Sequence, residues 1–276
     1  MFNGAAGYSD RKLELPCGQC IGCRLARSRQ WALRCVHEAA MHERNCFVTL
    51  TYSPENLPAD GSLDVTHWQK FAKRLRKRVG PFRYFHCGEY GEENARPHYH
   101  ACLFGVDFAE DREAFKKRPY PVWSSRTLTE SWGLGFCTVG RLTYESAAYV
   151  ARYVMKKATG ELAETRYAKV DPDTGEVVGQ VKPEYVTMSR RPGIGASWFE
   201  KYRGDVFPAD EVVHEGRRFR PPRFYEDRLG DDPLLEVLKR KRREAAAKHK
   251  DDLTHERLVV REKVAAVRLN GLQRSV

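Results

Sequence analysis

The sequence predicts an α+β fold in which helices pack on one face of an antiparallel sheet, ferredoxin-like in plan, followed by a helical C-terminal extension. Three observations support this prediction. The elements predicted across residues 46–157 follow the order strand, helix, strand, strand, helix, strand, helix. The chain has 276 residues and a 41% hydrophobic content, which is enough for a full core. After residue 231 the chain is highly charged, with only scattered leucines and valines.

The chain is predicted to divide into four segments. Residues 1–45 form a cysteine-rich arm and a helix, and residues 46–160 form the sheet core. Residues 161–230 form a basic, loop-rich accessory region, and residues 231–276 form a charged helical tail. Because the middle of the tail is basic and nearly free of apolar residues, we interpret it as a mobile segment that binds nucleic acid weakly or assists association.

A cysteine cluster precedes the first predicted helix, which extends from residue 24 to about residue 44. The members of this cluster are Cys17, Cys20 and Cys23. Thiolates at this spacing can bind one zinc ion, but a tetrahedral site needs a fourth ligand, which would be Cys35, His37 or Cys46. The alternative is that reduced thiols occupy a glycine-containing turn ahead of the helix.

Alternation and capping signals predict the first elements of the core. Residues 46–52 alternate apolar side chains with threonine, which is typical of a strand. Asp64 or Thr66 can cap the next helix, and Gly80 with the proline after it ends that helix. The buried stripe of this helix is predicted to consist of Trp68, Phe71, Leu75 and Val79.

The core continues with two strands, at residues 82–89 and 97–104. The polar residues 106–120 predict a loop. The last core elements are a helix at residues 122–132, a strand at residues 136–139 and a helix at residues 144–157.

Two histidines on the second of these paired strands form a candidate metal site. Successive side chains of a strand alternate between faces, so His98 and His100 point the same way. If the two strands pair, Glu89 on the preceding strand can complete a three-ligand site that leaves positions open for substrate. The alternative is a pair of half-buried polar histidines on a sheet surface.

Two tyrosines on the last core helix form a candidate nucleophile pair. Tyr149 and Tyr153 are spaced i, i+4, and Lys157 follows one turn later on the same side. Such a stripe alone is more often packing than a site. Beside a metal-ligand pair, however, a tyrosine oxygen can attack a phosphodiester, provided that the metal or Lys157 favours the phenolate.

The accessory region offers weaker signals. A turn at residues 171–175 predicts a hairpin between residues 165–170 and 176–182. A basic, glycine-bearing, aromatic stretch that contains Arg190, Arg191 and Trp198 predicts contacts with DNA, and its alternative is an ordinary loop before a short helix. The arginine-rich residues 217–224 are predicted to be extended and exposed to solvent.

The charge balance favours a polyanionic partner. The net charge is +11, which is typical of proteins that bind nucleic acid or an anionic membrane. No apolar run approaches the ~20 residues of a membrane span and no signal peptide opens the chain, so we expect nucleic acid and no membrane. Eight cysteines without an export signal indicate a reducing cytoplasm.

The motifs at residues 47–52, 97–100 and 149–154 together resemble those of HUH endonucleases that start rolling-circle replication. The segments at residues 16–24 and 190–199 extend the resemblance to the replication initiators of gokushovirus-like microviruses, which are small single-stranded DNA phages. The resemblance covers roughly residues 16–205, and an RRM-like variant of the ferredoxin plan is the fold that it implies.

The resemblance implies a role for each site residue. His98 and His100 would be metal ligands with Glu89 as the third, and Tyr149 and Tyr153 would be the nucleophiles. Relatives often have lysine between the two tyrosines, where this chain has an arginine. The role of that lysine, and with it contact to DNA, would pass to Arg152, Lys156 or Lys157.

The activity implied by the resemblance is a nick in one DNA strand at the origin, through a 5′-phosphotyrosine intermediate and a free 3′-hydroxyl, followed by rejoining. Mn²⁺ or Mg²⁺ would be the cofactor, with zinc in the cysteine cluster as a candidate structural ion. Partners would be single-stranded origin DNA and the helicase and polymerase of the host, in the cytoplasm of a host bacterium.

Two alternatives come from other functional classes. A non-catalytic basic protein that binds or packages DNA would need only the charge. A metal-dependent nuclease or RNA-processing enzyme would use the histidines to activate water and would leave no covalent protein–DNA adduct. The coincidence of the histidine pair with the tyrosine pair favours the transesterase over both.

Overall fold

The computed structural model describes residues 16–91, 95–116, 121–156, 161–171 and 173–270. Within these ranges the side chains at positions 116, 153–156, 161, 162 and 270 are not described. None of the helices in these ranges combines the length and the apolar character needed to cross a bilayer.

The strands are β1 (Asn45–Tyr52), β2 (Arg83–Tyr90), β3 (Pro97–Phe104), β4 (Arg112–Lys116), β5 (Val122–Ser125), β6 (Gly135–Gly140), β7 (Ala168–Val170), β8 (Val177–Gln180), β9 (Tyr185–Met188), β10 (Val212–His214) and β11 (Arg217–Phe219). The α-helices are α1 (Ile21–Ala39), α2 (Val65–Val79), α3 (Arg126–Trp132), α4 (Tyr144–Lys156), α5 (Glu161–Arg166), α6 (Ala196–Val206), α7 (Arg223–Leu229), α8 (Pro233–Ala247) and α9 (His255–Asn270). Short 3₁₀ turns lie at Pro54–Asn56 and Lys250–Leu253.

The described residues form one seven-stranded sheet in the order β4-β5-β6-β1-β3-β2-β9, with antiparallel neighbours throughout. Its centre, β6-β1-β3-β2, is connected by α2 between β1 and β2 and by α3 before β6. This connectivity is that of the ferredoxin-like plan, so the predicted α+β class and antiparallel sheet are confirmed. The hairpins β7–β8 and β10–β11 lie outside the sheet.

Helices α2 and α3 cover one face of the sheet. The Asp64 carboxylate caps α2 by accepting a hydrogen bond from the Thr66 amide, 2.8 Å away. The stripe of α2 predicted from the sequence is buried at Trp68, Phe71 and Leu75. These side chains pack with the sheet residues Val48, Leu50, Tyr99 and Leu103. The apolar alternation of β1 and β3 therefore forms the main core on this side.

On the opposite face, helices α1 and α4 pack against each other and against the centre of the sheet. The sheet contributes Phe47, Phe85, Cys102 and Phe104, and the helices contribute Ala32, Cys35, Ala147, Val150 and Ala151. Small side chains on both helices allow this close approach. The strand face that carries the two histidines is therefore partly covered by α1 and α4.

A buried carboxylate in α1 connects the accessory region to the core. Glu38 is 3% exposed; it accepts a hydrogen bond from the Gly195 amide at 2.7 Å and pairs with the Arg83 guanidinium. One turn earlier, Arg34 lies over the rings of Trp31 and Phe224. Because both acidic and basic groups are partnered, the polar cost of burying this junction is offset.

Two core elements differ from their predictions. The predicted loop at residues 106–120 contains β4, and the predicted helix at residues 122–132 divides into β5 and α3. The division occurs because Val122 and Trp123 pair with β6, whereas the Ser125 hydroxyl caps α3 by accepting from the Leu128 amide. Asp111 supports this cap, because its carboxylate accepts from the Ser125 hydroxyl at 2.7 Å.

The later part of the chain is more ordered than its sequence indicated. The hairpin β7–β8 is present as predicted, but β9 joins the main sheet and was not predicted. Residues 217–224 contain β11 and the start of α7, and the single helix predicted after residue 231 is two helices. Helix α8 is attached to the accessory region through buried Leu238 and through Arg242, which pairs with Asp210 and Glu226.

We expect Gly135→Ala to lower the free energy of unfolding by roughly 3 kcal/mol or more. Gly135 has φ +148°, and a Cβ there would lie 2.2 Å from the Ser53 amide nitrogen and 2.4 Å from the Thr51 carbonyl oxygen. Urea denaturation of the variant measures the loss. Gly179→Ala is the matched control, since a Cβ there has no neighbour within 4 Å, and equal stabilities of the two variants would contradict this account.

Candidate active site

Strand pairing collects the predicted metal ligands on one face of the sheet. In the β2–β3 register His98 lies opposite Glu89, and His100 lies opposite Cys87. On the other side of β3, Thr51 pairs with His98 and Thr49 pairs with His100. Directly opposite residues of antiparallel strands share a face, so Glu89, both histidines and both threonines project to the side of α1 and α4.

Glu89 and His100 are in direct contact. The His100 Nε2 atom lies 2.6 Å from Glu89 Oε1, and the two side chains are only 5–6% exposed. On the other side of the imidazole, Nδ1 lies 3.0 Å from the Thr49 hydroxyl oxygen. If Thr49 accepts from Nδ1–H, Nε2 is left with a lone pair directed towards the carboxylate, which is the tautomer that metal ligation requires.

His98 is held by the backbone of the β2–β3 turn. Its Nδ1 atom lies 2.7 Å from the Arg96 carbonyl oxygen, which also accepts the Gly91 amide at 2.9 Å. A donor at Nδ1 leaves Nε2 unprotonated and available as a ligand. Burial lowers the pKa of His98, which favours the neutral imidazole that binds metal.

Helix α4 places the first candidate nucleophile at the ligands. The Tyr149 hydroxyl donates to Glu89 Oε1 at 3.0 Å, and the Tyr149 ring meets the His100 ring edge-on with centroids 5.0 Å apart. The Arg152 guanidinium lies 5.4 Å from the Tyr149 ring centroid, so one predicted DNA-contacting residue lies beside the site.

The other members of the tyrosine helix are only partly described. Tyr153 and Lys156 lie in the backbone of α4, but their side chains are outside the described part of the structure. Lys157 lies outside the described residues altogether. The pairing of Tyr153 with Tyr149, and the roles of the two lysines, stay predictions.

The donor set fits a divalent cation. Two neutral imidazoles and one carboxylate form a combination of nitrogen and oxygen donors that suits Mn²⁺ and related ions. The contact between Glu89 and His100 shows that two of the donors lie within reach of a single ion, and the hydrogen bonds at both Nδ1 atoms orient the rings. Burial of Glu89 without a cation would be compensated only by these polar neighbours.

A second metal-sized group lies at the start of α1. The sulfur atoms of Cys17, Cys20 and Cys23 lie within 4.8 Å of one another, and this cluster could hold a metal ion. The Cys20 amide donates to the Cys17 sulfur at 3.2 Å. Backbone hydrogen bonding from Cys20 lowers the pKa of the Cys17 thiol to about 7, which favours the thiolate that metals bind.

None of the residues proposed as the fourth cysteine-site ligand joins this group. Cys35 is fully buried in the core between α1, α4 and the sheet, where burial and a hydrogen bond with Cys102 raise its pKa. His37 lies 2.7 Å from the Tyr225 hydroxyl, and Cys46 is buried on the α2 side. The prediction of Cys35 as a ligand is therefore corrected: its apolar stripe position in α1 places it in the core.

The predicted DNA-contacting stretch in the accessory region lies elsewhere. Arg190 and Arg191 are exposed, but the Arg191 carbonyl accepts from Arg83 at the start of β2, whereas Glu89 lies near its end. Six residues of strand separate these ends by roughly 20 Å. Trp198 stacks on the buried His37 ring at 3.5 Å, so its aromatic face serves packing and does not offer a platform for DNA.

Sequence reasoning missed Thr49 as a member of the site. Thr49 lies in the first strand motif, between the buried residues Val48 and Leu50. Alternation alone would have placed it on the face opposite those two. What the sequence did not reveal was the register that pairs it with His100, since pairing partners in antiparallel strands depend on tertiary structure.

Comparisons with known proteins match the segment that forms this site. A family model described as replication-associated protein ORF2 matches residues 45–158. Replication-associated protein ORF2 of Spiroplasma virus 4 is 33% identical over 252 residues, which are 84% of this chain and 74% of that protein. Replication-associated protein VP4 of Bdellovibrio phage phiMH2K is 31% identical over 239 residues, which are 80% of this chain and 71% of that protein.

A further relative is replication-associated protein ORF4 of Chlamydia phage 1, which is 32% identical over 225 residues, or 78% of this chain and 53% of that protein. No solved structure matches the chain significantly.

We expect Thr49→Val to weaken Mn²⁺ binding about tenfold or more, because loss of an outer partner leaves the His100 ring and tautomer unfixed. Isothermal titration of the metal-free protein with Mn²⁺ measures the change. Thr51→Val is the matched control, since it lies two residues along the same strand and face. Unchanged affinity in Thr49→Val would show that this hydroxyl does not orient the ligand.

Proposed function

This chain belongs to the family of replication-associated proteins of microvirus phages, and we propose that it initiates replication by nicking one DNA strand through a tyrosine nucleophile. The observation that carries this proposal is the hydrogen bond of the Tyr149 hydroxyl to Glu89 Oε1, the same atom that contacts His100. It places a nucleophile about 3 Å from a candidate metal ligand, in reach of any phosphate held there.

Glu89, His98 and His100 would hold Mn²⁺ or Mg²⁺ in this proposal. When bound, the cation would polarise the scissile phosphate and offset its developing charge. Thr49 and the Arg96 carbonyl keep the two imidazoles oriented through their Nδ1 atoms. Arg152, beside the Tyr149 ring, supplies positive charge that favours the phenolate and the approach of a DNA phosphate.

The chemical step exchanges one ester for another. The Tyr149 oxygen forms a bond to phosphorus, and the bond from phosphorus to the 3′-oxygen breaks. The leaving 3′-oxygen keeps the electron pair and gains a proton, while the phenol loses one. The products are a 5′-phosphotyrosine and a free 3′-hydroxyl, and the bond energy retained in the phosphotyrosine allows the strand to be rejoined.

Tyr153 would serve as the second nucleophile. It follows Tyr149 by one turn of α4, and side chains at this spacing lie on the same helix face. Two tyrosines in alternation would let the protein cleave a second strand while the first remains attached. Lys156 and Lys157, which come next in the chain, would take the part that a lysine between the tyrosines takes in relatives.

The partners and location follow from this activity. The protein would bind single-stranded DNA at the replication origin, in the cytoplasm of a host bacterium. The free 3′-hydroxyl would then be extended by the host polymerase, with a host helicase separating the strands. The net charge of +11 supports binding to DNA and steers its approach.

Two competing functions are disfavoured by the position of Tyr149. A hydrolytic nuclease would need space for water at the ligands, where the Tyr149 hydroxyl instead lies 3.0 Å from Glu89. A purely binding or packaging protein has no need for buried, mutually contacting carboxylate, imidazole and phenol groups, which are costly to bury.

For the cysteine cluster we propose a structural zinc ion. Three sulfur atoms at mutual distances near 4 Å suit tetrahedral Zn²⁺, whose Zn–S bonds are about 2.3 Å. None of the candidate fourth ligands tested above lies in the cluster, so the fourth position would be filled by water or by a group outside the described residues. The ion would fix the turn that starts α1.

The double variant Tyr149→Phe/Tyr153→Phe should bind single-stranded DNA normally and form no covalent adduct. Each change removes one oxygen and keeps the ring, so lost activity reports chemistry and not unfolding. The two single variants should differ in rate, because misplacing a nucleophile by about 1 Å costs about a hundredfold. The measurement is a denaturant-resistant protein–DNA band after incubation with Mn²⁺ and single-stranded oligonucleotides that tile the viral origin.

Tyr144→Phe is the control for this experiment, since Tyr144 begins the same helix but packs against His214 and Phe219. An adduct in the folded double variant would place the nucleophile elsewhere. Cleavage without an adduct in the unaltered protein would favour the hydrolytic nuclease.

Replacing Cys17, Cys20 or Cys23 by serine should reduce bound zinc from about one ion per chain to about zero and lower the melting temperature. Elemental analysis of freshly purified, reduced protein measures the zinc. Cys35→Ala is the control: it should retain zinc and lose stability, because Cys35 lies in the core. Absence of zinc from the unaltered protein would leave the reduced-thiol turn as the explanation.

A further inference from the structure

An exposed aromatic ring lies on the same sheet face as the metal ligands. Phe136 in β6 is 69% exposed, although it belongs to a strand near the centre of the sheet. In the β1–β6 register Phe136 pairs with Thr51, and Thr51 pairs with His98 on the other side. Glu89, His98, Thr51 and Phe136 therefore form one continuous row across four strands, with all four side chains on one face.

The backbone around Phe136 is tightly fixed. The preceding residue, Gly135, approaches the Ser53 and Thr51 backbone so closely that no Cβ fits. The Ser53 amide donates to the Leu134 carbonyl at 2.8 Å, and the Trp132 indole donates to the Thr51 carbonyl at 3.1 Å. The ring is thus presented from a rigid element, as a preorganised contact requires.

The position of the ring matches the path of a bound strand. Two strand spacings separate Phe136 from His98, which places their backbones about 10 Å apart. A stacked DNA strand advances about 3.4 Å per nucleotide, so the ring lies roughly three nucleotides or fewer from a phosphate held at the ligands. Every base offers a π-face to an aromatic side chain, whatever the sequence.

We propose that Phe136 is a stacking platform for a base of single-stranded DNA that flanks the scissile phosphate. This inference rests on the proposed function, and it assigns Phe136 a positioning role in that site. With a base held on Phe136 and a phosphate at the ligands, the strand would run along the row from β6 towards β2, past the Tyr149 hydroxyl. Stacking supplies affinity without sequence recognition, so Phe136 fixes the path of the strand and leaves recognition of the origin to other residues.

The test is equilibrium binding of a fluorescein-labelled oligothymidylate of about 20 nucleotides, measured by anisotropy in EDTA so that no cleavage occurs. Phe136→Ala should raise Kd about tenfold or more, Phe136→Tyr should bind like the unaltered protein, and Phe136→Leu should resemble Phe136→Ala because it keeps apolar area without a π-face. Because binding is read without metal, the outcome does not depend on whether the protein nicks DNA.

Phe115→Ala is the matched control, because Phe115 is 74% exposed but lies at the bulge of β4, at the outer edge of the sheet. It should leave Kd unchanged. The proposal is overturned if Phe136→Ala binds like the unaltered protein, or if Phe136→Leu does. It is also overturned if sedimentation shows that the unaltered protein is a dimer and Phe136→Ala a monomer, since a second copy would then cover the ring.

Discussion

The register of β1, β3 and β2 is the constraint on which the site depends. A slip of one residue in β3 would turn both imidazoles to the α2 side and bring Tyr99 and Ala101 to the α4 side. Such a slip is strongly opposed, because Tyr99 and Ala101 are fully buried in the main core. The hydrophobic pattern of one face thus fixes the chemistry of the other: the burial that stabilises the fold also aligns Glu89 and Thr49 with His100.

The nucleophile depends on a second layer of packing. Tyr149 reaches Glu89 only because α4 is pressed onto the sheet through Ala147, Val150 and Ala151, with α1 beside it. Helix α1 is itself held by the Glu38 network to the loop before α6. The accessory region therefore contributes to the site without touching it, since loosening its junction with α1 would free α4 to move. Positions that need accuracy near 1 Å are sensitive to such distant support.

The sequence predicted this site better than its surroundings, and the reason is physical. Strand alternation is local, so the shared face of the histidines followed from residue spacing alone, and Asp64 as a cap followed from capping chemistry. The short strands β4 and β9 exist because neighbouring strands satisfy their backbone groups, and local propensity does not report a neighbour. Trp198 failed as a predicted DNA contact for the same reason: the sequence shows an aromatic ring but not His37 stacked on it.

Burial along the row of site residues suggests how a DNA strand would enter. Glu89 and its neighbour His100 are nearly inaccessible beneath α4, His98 is half-buried, and Phe136 at the other end is open to solvent. A strand would therefore approach over β6 and β1, where no helix of the described residues packs on this face at Phe136. It would reach the ligands from the His98 side, with Tyr149 already on the far side of the carboxylate. In this arrangement the phosphate would enter between the imidazoles and the nucleophile, and the buried carboxylate would be shielded from competing water.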